Sequence, residues 1–344
     1  MHILYFCNEN YVSSYNGYII ASHFTKRKHK VTLVTIANFT APFPNELIDI
    51  YNIDKDDYVF GNIKLKDIDI VLGYSQSMAP FVSEYKKHHK IKGYCVFFDF
   101  PVGIVDGKDT DNYDFNYSQK FYYWVNCALE LDGVIFHNQY FADQFFKRYK
   151  RIPYVVHHPA FFSVEDFFGD KTKEYIVGSS SVFKYKGIHL LISALSSLPY
   201  DYIHIYRNVD PPYLDSIRVS CEVQDNSFKF YKNLSSKKRS EYIYNASMLV
   251  YPQIIEWLGV GSIVDALSLK TPVICYDYPI AKELFKDKVL YAKKGSINDL
   301  RKKIKLLYED SDLYEKLAED GYNLYRKEYT VEKMIDRLLG VFNE

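Results

Sequence analysis

The chain has 344 residues, and this length favours two domains of roughly 150 residues over a single small one. Its 43 Lys and Arg residues balance 43 Asp and Glu residues, which argues against a nucleic-acid-binding protein. The 48% hydrophobic content is that of an ordinary globular protein. The five cysteines include no CxxC pair, so we expect buried free thiols in a reducing compartment.

Membrane insertion and secretion are both disfavoured by the sequence. There is no run of about 18 apolar residues, and residues 1–11 lack the basic and apolar regions of a signal peptide. We therefore expect a cytoplasmic protein. Two basic runs, 26–30 and 86–92, are interpreted as solvated surface. The alternative is peripheral contact with anionic lipid headgroups at the cytoplasmic membrane face.

Short apolar strands alternate with longer mixed segments along the whole chain. Most strands are continuous apolar runs, as expected for parallel strands that are buried on both faces. The predicted strands are 2–7, 30–36, 68–74, 92–99, 133–137, 153–157, 175–178, 202–206, 227–231, 247–251, 272–276 and 289–291. Apolar residues at helical spacing predict helices at 188–197, 237–245, 297–308 and 313–325.

This pattern predicts an α/β protein with two tandem Rossmann-like domains, each built on a parallel sheet. The strand pattern breaks between 159 and 173, so the domains are placed at residues 1–160 and 173–328. A last amphipathic helix, within 329–344, has no following strand. We expect it to pack back on the first domain.

The segment 247–285 carries the clearest functional pattern. A strand ending at Tyr251 is followed by Glu256, by Gly259-Val260-Gly261 and by a helix that carries Asp265. Ligands of open α/β sheets bind at the carboxyl ends of the strands, and a helix N-terminus attracts phosphate. Carboxylates beside such a phosphate site suit a sugar nucleotide, because its hydroxyl groups need hydrogen-bond acceptors.

With these features the chain resembles a GT-B glycosyltransferase, and it is similar to glycosyltransferase family 4, the retaining enzymes of group 1. In the family pattern EGFGLxxLEAxAxGxPVI seven residues separate two acids. Here eight residues separate Glu256 from Asp265, the second acid is Asp, and the run from Pro272 matches. The resemblance implies an interdomain cleft. It also implies that Glu256 contacts the donor sugar at the reacting centre and that Asp265 accepts hydrogen bonds from the ribose.

A second matching element runs from Gly178 to Lys186. Lys186 matches the lysine that contacts the donor diphosphate, where a cation stabilises the departing nucleoside diphosphate. The family arginine after the preceding strand is absent, and Ser180 and Ser181 stand in that region. Lys184 is an alternative source of the missing positive charge.

Two further elements match the family in part. The strand that leads to Asn233 and Leu234 resembles the segment whose backbone reads the nucleobase edge. In the first domain, Asn16-Gly17 stands in the expected loop after the first strand, where the family has a glycine pair. Asp99 aligns with the acid of a His-Asp pair and is a candidate catalytic or acceptor-site group, although phenylalanine replaces the histidine.

Each candidate residue also has a structural interpretation. Ser262 and Asp265 have capping-box spacing, so Asp265 is also a candidate helix cap. Glu256 is a candidate solvated loop acid, the two glycines are candidate turn residues, and Lys186 is a candidate exposed lysine at a helix start.

Other chemistries lack their residue patterns. His137 and the His157-His158 pair end predicted strands and are interpreted as structural. Without HExxH or other metal-ligand spacing, we expect no bound metal, and we expect no tightly bound cofactor. The lack of GxGxxG after the first strand and of GxSxG disfavours a dinucleotide oxidoreductase and a serine hydrolase.

The sequence therefore predicts a retaining glycosyltransferase whose donor is a UDP- or GDP-linked sugar and whose acceptor is a glycan, lipid-linked or protein-linked. The first domain would bind the acceptor near Asn16-Gly17 and Asp99. Two alternatives stay open, namely a GT-B-fold sugar-nucleotide epimerase and a catalytically degenerate nucleotide-sugar-binding protein. The predicted donor-binding residues are Ser180, Ser181, Lys184, Lys186, Asn233, Leu234, Glu256, Gly259, Val260, Gly261 and Asp265.

Overall fold

The computed structural model describes residues 1–7, 11–35, 45–52, 65–98, 115–196, 198–255 and 260–344. The chain forms two compact units, each with its own sheet. The first comprises Met1–His157 together with Val331–Glu344, and the second comprises His158–Thr330. No helix within the described ranges is long and apolar enough to cross a membrane.

The first unit is built on a parallel sheet with strand order β3-β2-β1-β4-β5-β6-β7. Its strands are β1 (His2–Cys7), β2 (Lys30–Thr35), β3 (Ile48–Asn52), β4 (Ile70–Tyr74), β5 (Lys92–Phe97), β6 (Gly133–Phe136) and β7 (Tyr154–Val155). Its helices begin with α1 (Tyr11–Lys26), α2 (Ala79–His89), α3 (Phe115–Ala128) and α4 (Gln139–Tyr149).

The second unit is built on a parallel sheet with strand order β10-β9-β8-β11-β12-β13. Its strands are β8 (Tyr175–Ser179), β9 (Asp201–Tyr206), β10 (Phe228–Lys232), β11 (Met248–Tyr251), β12 (Val273–Tyr276) and β13 (Leu290–Ala292). Its helices are α5 (Ile188–Leu195), α6 (Pro211–Glu222), α7 (Ser236–Tyr244), α8 (Gly261–Ser268), α9 (Pro279–Phe285), α10 (Ile297–Glu309) and α11 (Ser311–Glu328).

The two parallel sheets confirm the predicted α/β fold class. Among the strands of the described residues, β3 alone is not predicted from the sequence. It lies at the edge of its sheet, where Ile48 is buried while Asp49 and Tyr51 are exposed. An edge strand of this kind lacks the continuous apolar run on which the prediction of the other strands rests.

The last helix, α12 (Val331–Asn343), belongs to the first unit. Its buried apolar residues recur at helical spacing, and among them Phe342 stacks on Phe24 of α1 with ring centroids 6.2 Å apart. Arg27 Nε donates to Asp336 Oδ1 over 2.8 Å at the rim of this contact. Burial of the apolar stripe therefore fixes α12 against α1.

The segment predicted as the join between the domains packs within the second unit. The backbone N–H of Ala160 donates to the carbonyl oxygen of Tyr329 over 3.0 Å. Ser268 Oγ donates to the carbonyl oxygen of Phe162 over 2.7 Å. Lys171 Nζ donates to the carbonyl oxygen of Lys270 over 2.8 Å, which satisfies a backbone acceptor just beyond the C-terminus of α8.

The sequence places Asn16 and Gly17 in a loop, and this prediction is wrong: both lie inside α1. A Cβ atom on Gly17 would lie 2.0 Å from Cys7 Sγ of β1. The glycine therefore allows α1 to approach the sheet closely, which is a packing requirement that a local sequence pattern does not distinguish from a loop.

Gly17→Ala should destabilise the protein by about 1–3 kcal/mol, because the added methyl group overpacks the contact with Cys7. Removal of the Cys7 sulfur leaves only ordinary contacts at 3.5 Å. On a Cys7→Ala background, Gly17→Ala should therefore be neutral or stabilising by up to about 1 kcal/mol, the helix propensity gained. Urea denaturation of the four proteins measures both effects, and an equal loss on both backgrounds would contradict the packing explanation.

Candidate functional site

The second sheet has a topological switch point between β8 and β11. From β8 the chain adds β9 and β10 on one side, and it then returns to add β11, β12 and β13 on the other. The segments that leave β8 and β11 therefore diverge at the carboxyl ends of neighbouring strands, which is where open α/β sheets bind ligands. Lys186 follows β8, and Gly261 follows β11 at the start of α8.

Hydrogen bonds join the two segments at this edge. Ser262 Oγ, in the first turn of α8, donates to the carbonyl oxygen of Ser179 over 2.7 Å. The backbone N–H of Ser180 donates to the carbonyl oxygen of Ile205 over 3.1 Å. Hydrogen bonds therefore connect the end of β8 to both α8 and β9.

The Lys186 ammonium group is held by residues that follow β11. Its Nζ donates to Gln253 Oε1 over 2.6 Å and to the Tyr251 hydroxyl over 3.3 Å. Gln253 is buried, and its Nε2 donates to the carbonyl oxygen of Ile255 over 2.7 Å. Both of these acceptors are neutral groups, and they orient the ammonium group. Lys184, by contrast, is exposed.

Gly187 brings the Lys186 segment against the chain after β11. Its φ angle is +69°, and a Cβ atom there would lie 2.0 Å from the carbonyl oxygen of Pro252. Only glycine fits both the backbone conformation and the close approach. A Cβ on Gly261 would make ordinary contacts with His158, the nearest at 3.6 Å, so packing alone does not require glycine at that position.

Asp265 is buried in α8, where the Arg239 guanidinium of α7 donates to its Oδ2. Burial raises the pKa of Asp265, and the positive charge of Arg239 opposes part of that shift. The capping-box interpretation is wrong, because α8 begins after Val260 without a side-chain cap and Ser262 donates to Ser179 instead.

Two of the predicted donor residues, Asn233 and Leu234, lie at the carboxyl end of β10. Asn233 is exposed with a φ angle of +58°, and its backbone N–H donates to the carbonyl oxygen of Tyr206 over 2.9 Å. Leu234 is half-buried, as are Ser180 and Ser181 after β8.

Glu256, Gly259 and Asp99 lie outside the described residues. No group of three or more His, Cys, Asp or Glu side chains that could hold a metal ion occurs in the part of the chain that the structure describes.

His204 is a supporting residue that the sequence analysis missed. Its ring lies between two partners: the Tyr202 hydroxyl is 2.6 Å from Nδ1, and the carbonyl oxygen of Ser180 is 3.0 Å from Nε2. We infer that Nε2–H donates to Ser180 while Nδ1 accepts from Tyr202, because a carbonyl only accepts. Burial lowers the pKa of His204 to about 4 and keeps it neutral.

The sequence analysis also missed Gln253, Arg239 and Arg207. Arg207 directly follows β9 and is half-buried. The one local signal for it is a charged residue at the carboxyl end of an apolar strand. Arg239 lies on a polar helix, where nothing in the sequence marks it as the partner of Asp265.

The comparison with known families agrees with this placement. Residues 163–324 match the model of the family described as glycosyl transferases group 1. This region of the chain is similar to the group 1 glycosyl transferases. The match lies within the second unit and includes Lys186 and Asp265. No curated protein matches the chain.

Solved structures share the fold of this chain. HepE of Anabaena, in complex with UDP, superposes with a TM-score of 0.77 at 13% identity over 100% of both chains. Sucrose-phosphate synthase of Thermosynechococcus elongatus gives 0.76 at 14% identity over 100% of this chain and 98% of that one. A Rickettsia africae glycosyltransferase gives 0.71 at 14% identity over 99% and 97%. The GT-B fold and the predicted resemblance to GT-B glycosyltransferases are thereby confirmed.

The free energy of unfolding should fall as the pH drops from about 6.5 towards 4. Burial lowers the pKa of both His204 and His158 to about 4, whereas an unfolded chain takes up these protons near pH 6.5. The unfolded state therefore binds more protons in this window, and each histidine contributes roughly 3 kcal/mol that is present above pH 6.5 and lost on acidification.

His204→Gln keeps an amide donor for Ser180 and removes one titrating group. Its loss of stability between pH 6.5 and 4, measured by urea denaturation, should be smaller than that of the wild type. His88→Gln is the matched control, since His88 is exposed and pairs with Glu84. An unchanged pH slope in His204→Gln would show that His204 does not titrate in this way.

Removal of one partner of the Arg239–Asp265 pair should destabilise the protein. Arg239→Met leaves a buried carboxylate without its partner and should destabilise the protein by roughly 3 kcal/mol, the lower end for buried pairs because Arg239 is 24% exposed. Arg239→Met with Asp265→Leu removes both charges and should recover most of that loss. Thermal unfolding of both variants measures this, and a double variant less stable than the single one would contradict it.

Proposed function

We propose that the protein transfers a sugar from a nucleoside-diphosphate sugar to an acceptor, with retention of configuration at the anomeric carbon as in glycosyltransferase family 4. The observation that carries this proposal is the oriented ammonium group of Lys186 beside the N-terminus of α8, at the switch point of a sheet that matches the group 1 family.

The donor diphosphate would bind at the switch point. Lys186, which Gln253 and Tyr251 orient, supplies a positive charge. The hydroxyl groups of Ser180 and Ser181 and the first backbone N–H groups of α8 add neutral donors. These groups stabilise the nucleoside diphosphate most when its negative charge grows as the sugar departs.

The nucleoside would lie towards the ends of β10 and α7. Asn233 and Leu234 are proposed to read the base edge through their backbone groups. Arg239 bonds Asp265 at Oδ2, so Oδ1 is the atom proposed to accept from a ribose hydroxyl. HepE of Anabaena was solved with UDP and with UDP-glucose, which makes uridine the first base to test in this chain.

Glu256 and Asp99 are proposed as the catalytic acids on the strength of the sequence resemblance. A carboxylate at Glu256 would bind the sugar hydroxyls and stabilise positive charge at the anomeric carbon. Asp99 would act at the acceptor site of the first unit, together with Asn16. A glycan or glycolipid acceptor and a cytoplasmic location stay proposals.

Ion pairs reduce the positive charge that the two basic runs present to an anionic membrane surface. Several lysines of the two basic runs pair with acids at short range: Lys30 with Asp49 and Lys87 with Glu130, both over 2.9 Å, and Lys86 with Asp132 over 3.2 Å.

Lys186→Met should weaken binding of the preferred nucleoside diphosphate by roughly 10- to 100-fold, since a hydrogen bond to a charged group is worth about 1.5–3 kcal/mol. Calorimetry with UDP, GDP and ADP identifies the nucleotide first and measures the loss afterwards. Lys302→Met, an exposed lysine of α10, is the control and should bind normally. If the wild type binds none of the three nucleotides, the proposed function is wrong.

Glu256→Gln should lower kcat for sugar transfer by about 100-fold or more while nucleotide affinity stays within a few-fold, because the carboxylate acts on charge that develops in the transition state. Turnover with UDP-, GDP- and ADP-linked sugars measures the change. NMR of the product reports the anomeric configuration.

The same measurements separate the alternatives. Conversion of the donor sugar without an acceptor would indicate an epimerase. Binding without turnover in the wild type would indicate a nucleotide-sugar-binding protein. An inverted product would contradict retention while leaving the transferase activity intact.

A further inference from the structure

Two arginines and one aspartate lie near one another in the second unit: Arg207 follows β9, Arg239 lies on α7 and Asp265 lies on α8. Arg239 pairs with the buried Asp265. Arg207 lies close enough to both for their charges to shift its pKa in opposite directions. Yet the Arg207 side chain has no hydrogen-bond or ion-pair partner anywhere in the described ranges of the chain.

An unpaired guanidinium in this position is energetically unfavourable without an anion. Burial is the largest influence on the pKa of Arg207 and lowers it, and the neighbouring charge of Arg239 lowers it further. Asp265 opposes these effects, but its Oδ2 is already bonded to Arg239. A half-buried charge that its own fold leaves unpaired is better explained by a ligand than by stability.

The strand register places Arg207 beside the proposed diphosphate segment. Ser179 of β8 lies opposite Ile205 of β9, and Val182 pairs with Val209 further along the same two segments. The backbone at Arg207 therefore lies alongside that of Ser180 and Ser181. This stretch after β8 contains serines and no positively charged residue.

We propose that Arg207 binds the phosphate groups of the donor, supplying from the end of β9 the positive charge that the serines after β8 lack. This inference rests on the proposed function and adds a residue to its site. The planar guanidinium group donates two parallel hydrogen bonds to phosphate oxygens, which a lysine cannot reproduce. The Arg239–Asp265 pair is neutral overall, so the charge of Arg207 remains available to the ligand.

The assignment is tested by calorimetry, which measures the affinity of Arg207→Gln for UDP, UMP and uridine. If the wild type prefers another base, the corresponding GDP or ADP series is used. UDP affinity should fall roughly 10- to 100-fold, and uridine affinity should be unchanged. Arg207→Lys should restore only part of the UDP affinity. Arg218→Gln is the control, because Arg218 is an exposed arginine of α6 that pairs with Asp215.

Thermal unfolding without ligand separates a binding role from a structural one. Removal of an unpaired charge should leave the Tm of Arg207→Gln equal to that of the wild type or raise it. A marked fall in Tm together with equal losses of UDP and uridine binding would overturn the inference in favour of a structural role.

Two further outcomes keep this inference distinct from the proposed function. If the wild type binds UDP and Arg207→Gln binds it equally well, Arg207 is not a phosphate-binding residue, although the donor site stands. Inorganic phosphate added to the UDP-saturated protein gives the second outcome. If Arg207→Gln loses affinity only for this added phosphate, Arg207 binds a second phosphate, such as that of an acceptor. Its assignment to the donor is then wrong.

Discussion

The reversal of strand order between β8 and β11 is the constraint on which the candidate site depends. Because the chain leaves these neighbouring strands in opposite directions, two segments end at one edge of the sheet without covering each other. Gly187 then approaches the carbonyl oxygen of Pro252 more closely than any side chain would permit. That contact puts Lys186 within reach of Gln253, so backbone topology and one glycine together orient the cation.

Charge is distributed unevenly within a chain that is neutral overall. At the carboxyl edge of the second sheet, Lys186 donates to the neutral groups of Gln253 and Tyr251, while Arg239 and Asp265 neutralise each other. Arg207 has no hydrogen-bond or ion-pair partner among the residues that the structure describes. At the surface of the first unit, by contrast, lysines such as Lys30 and Lys87 are paired with acids. Lys186 and Arg207 are the two cations that we assign to the proposed diphosphate site.

Buried neutral groups support this arrangement. His204 lies between Tyr202 and the carbonyl oxygen of Ser180, and Gln253 lies between Lys186 and the carbonyl oxygen of Ile255. Both satisfy backbone acceptors in the segments that follow β8 and β11. Protonation of His204 would convert Nδ1 from an acceptor to a donor, so a fall in pH changes the bond to Tyr202 as well as the stability of the unit.

Much of the fold follows from local sequence patterns. A parallel strand that is buried on both faces requires a continuous apolar run, so β1 and β11 are visible in the sequence, whereas the half-exposed edge strand β3 is not. Helices such as α10 follow from apolar residues at helical spacing. The family pattern likewise singles out Lys186, since the lysine and the glycine after it are adjacent in the chain.

The sequence by itself determined the alternation of strands and helices, the presence of two sheets and the resemblance to a glycosyltransferase, because each is encoded in residues close together along the chain. Only the tertiary structure decided that Gly17 serves helix packing, that Asp265 pairs with Arg239, and that Arg207 lies beside Ser181 without a partner among the described residues. These are relations between residues tens of positions apart in sequence. They are set by strand order and register, which no local pattern of residue types specifies.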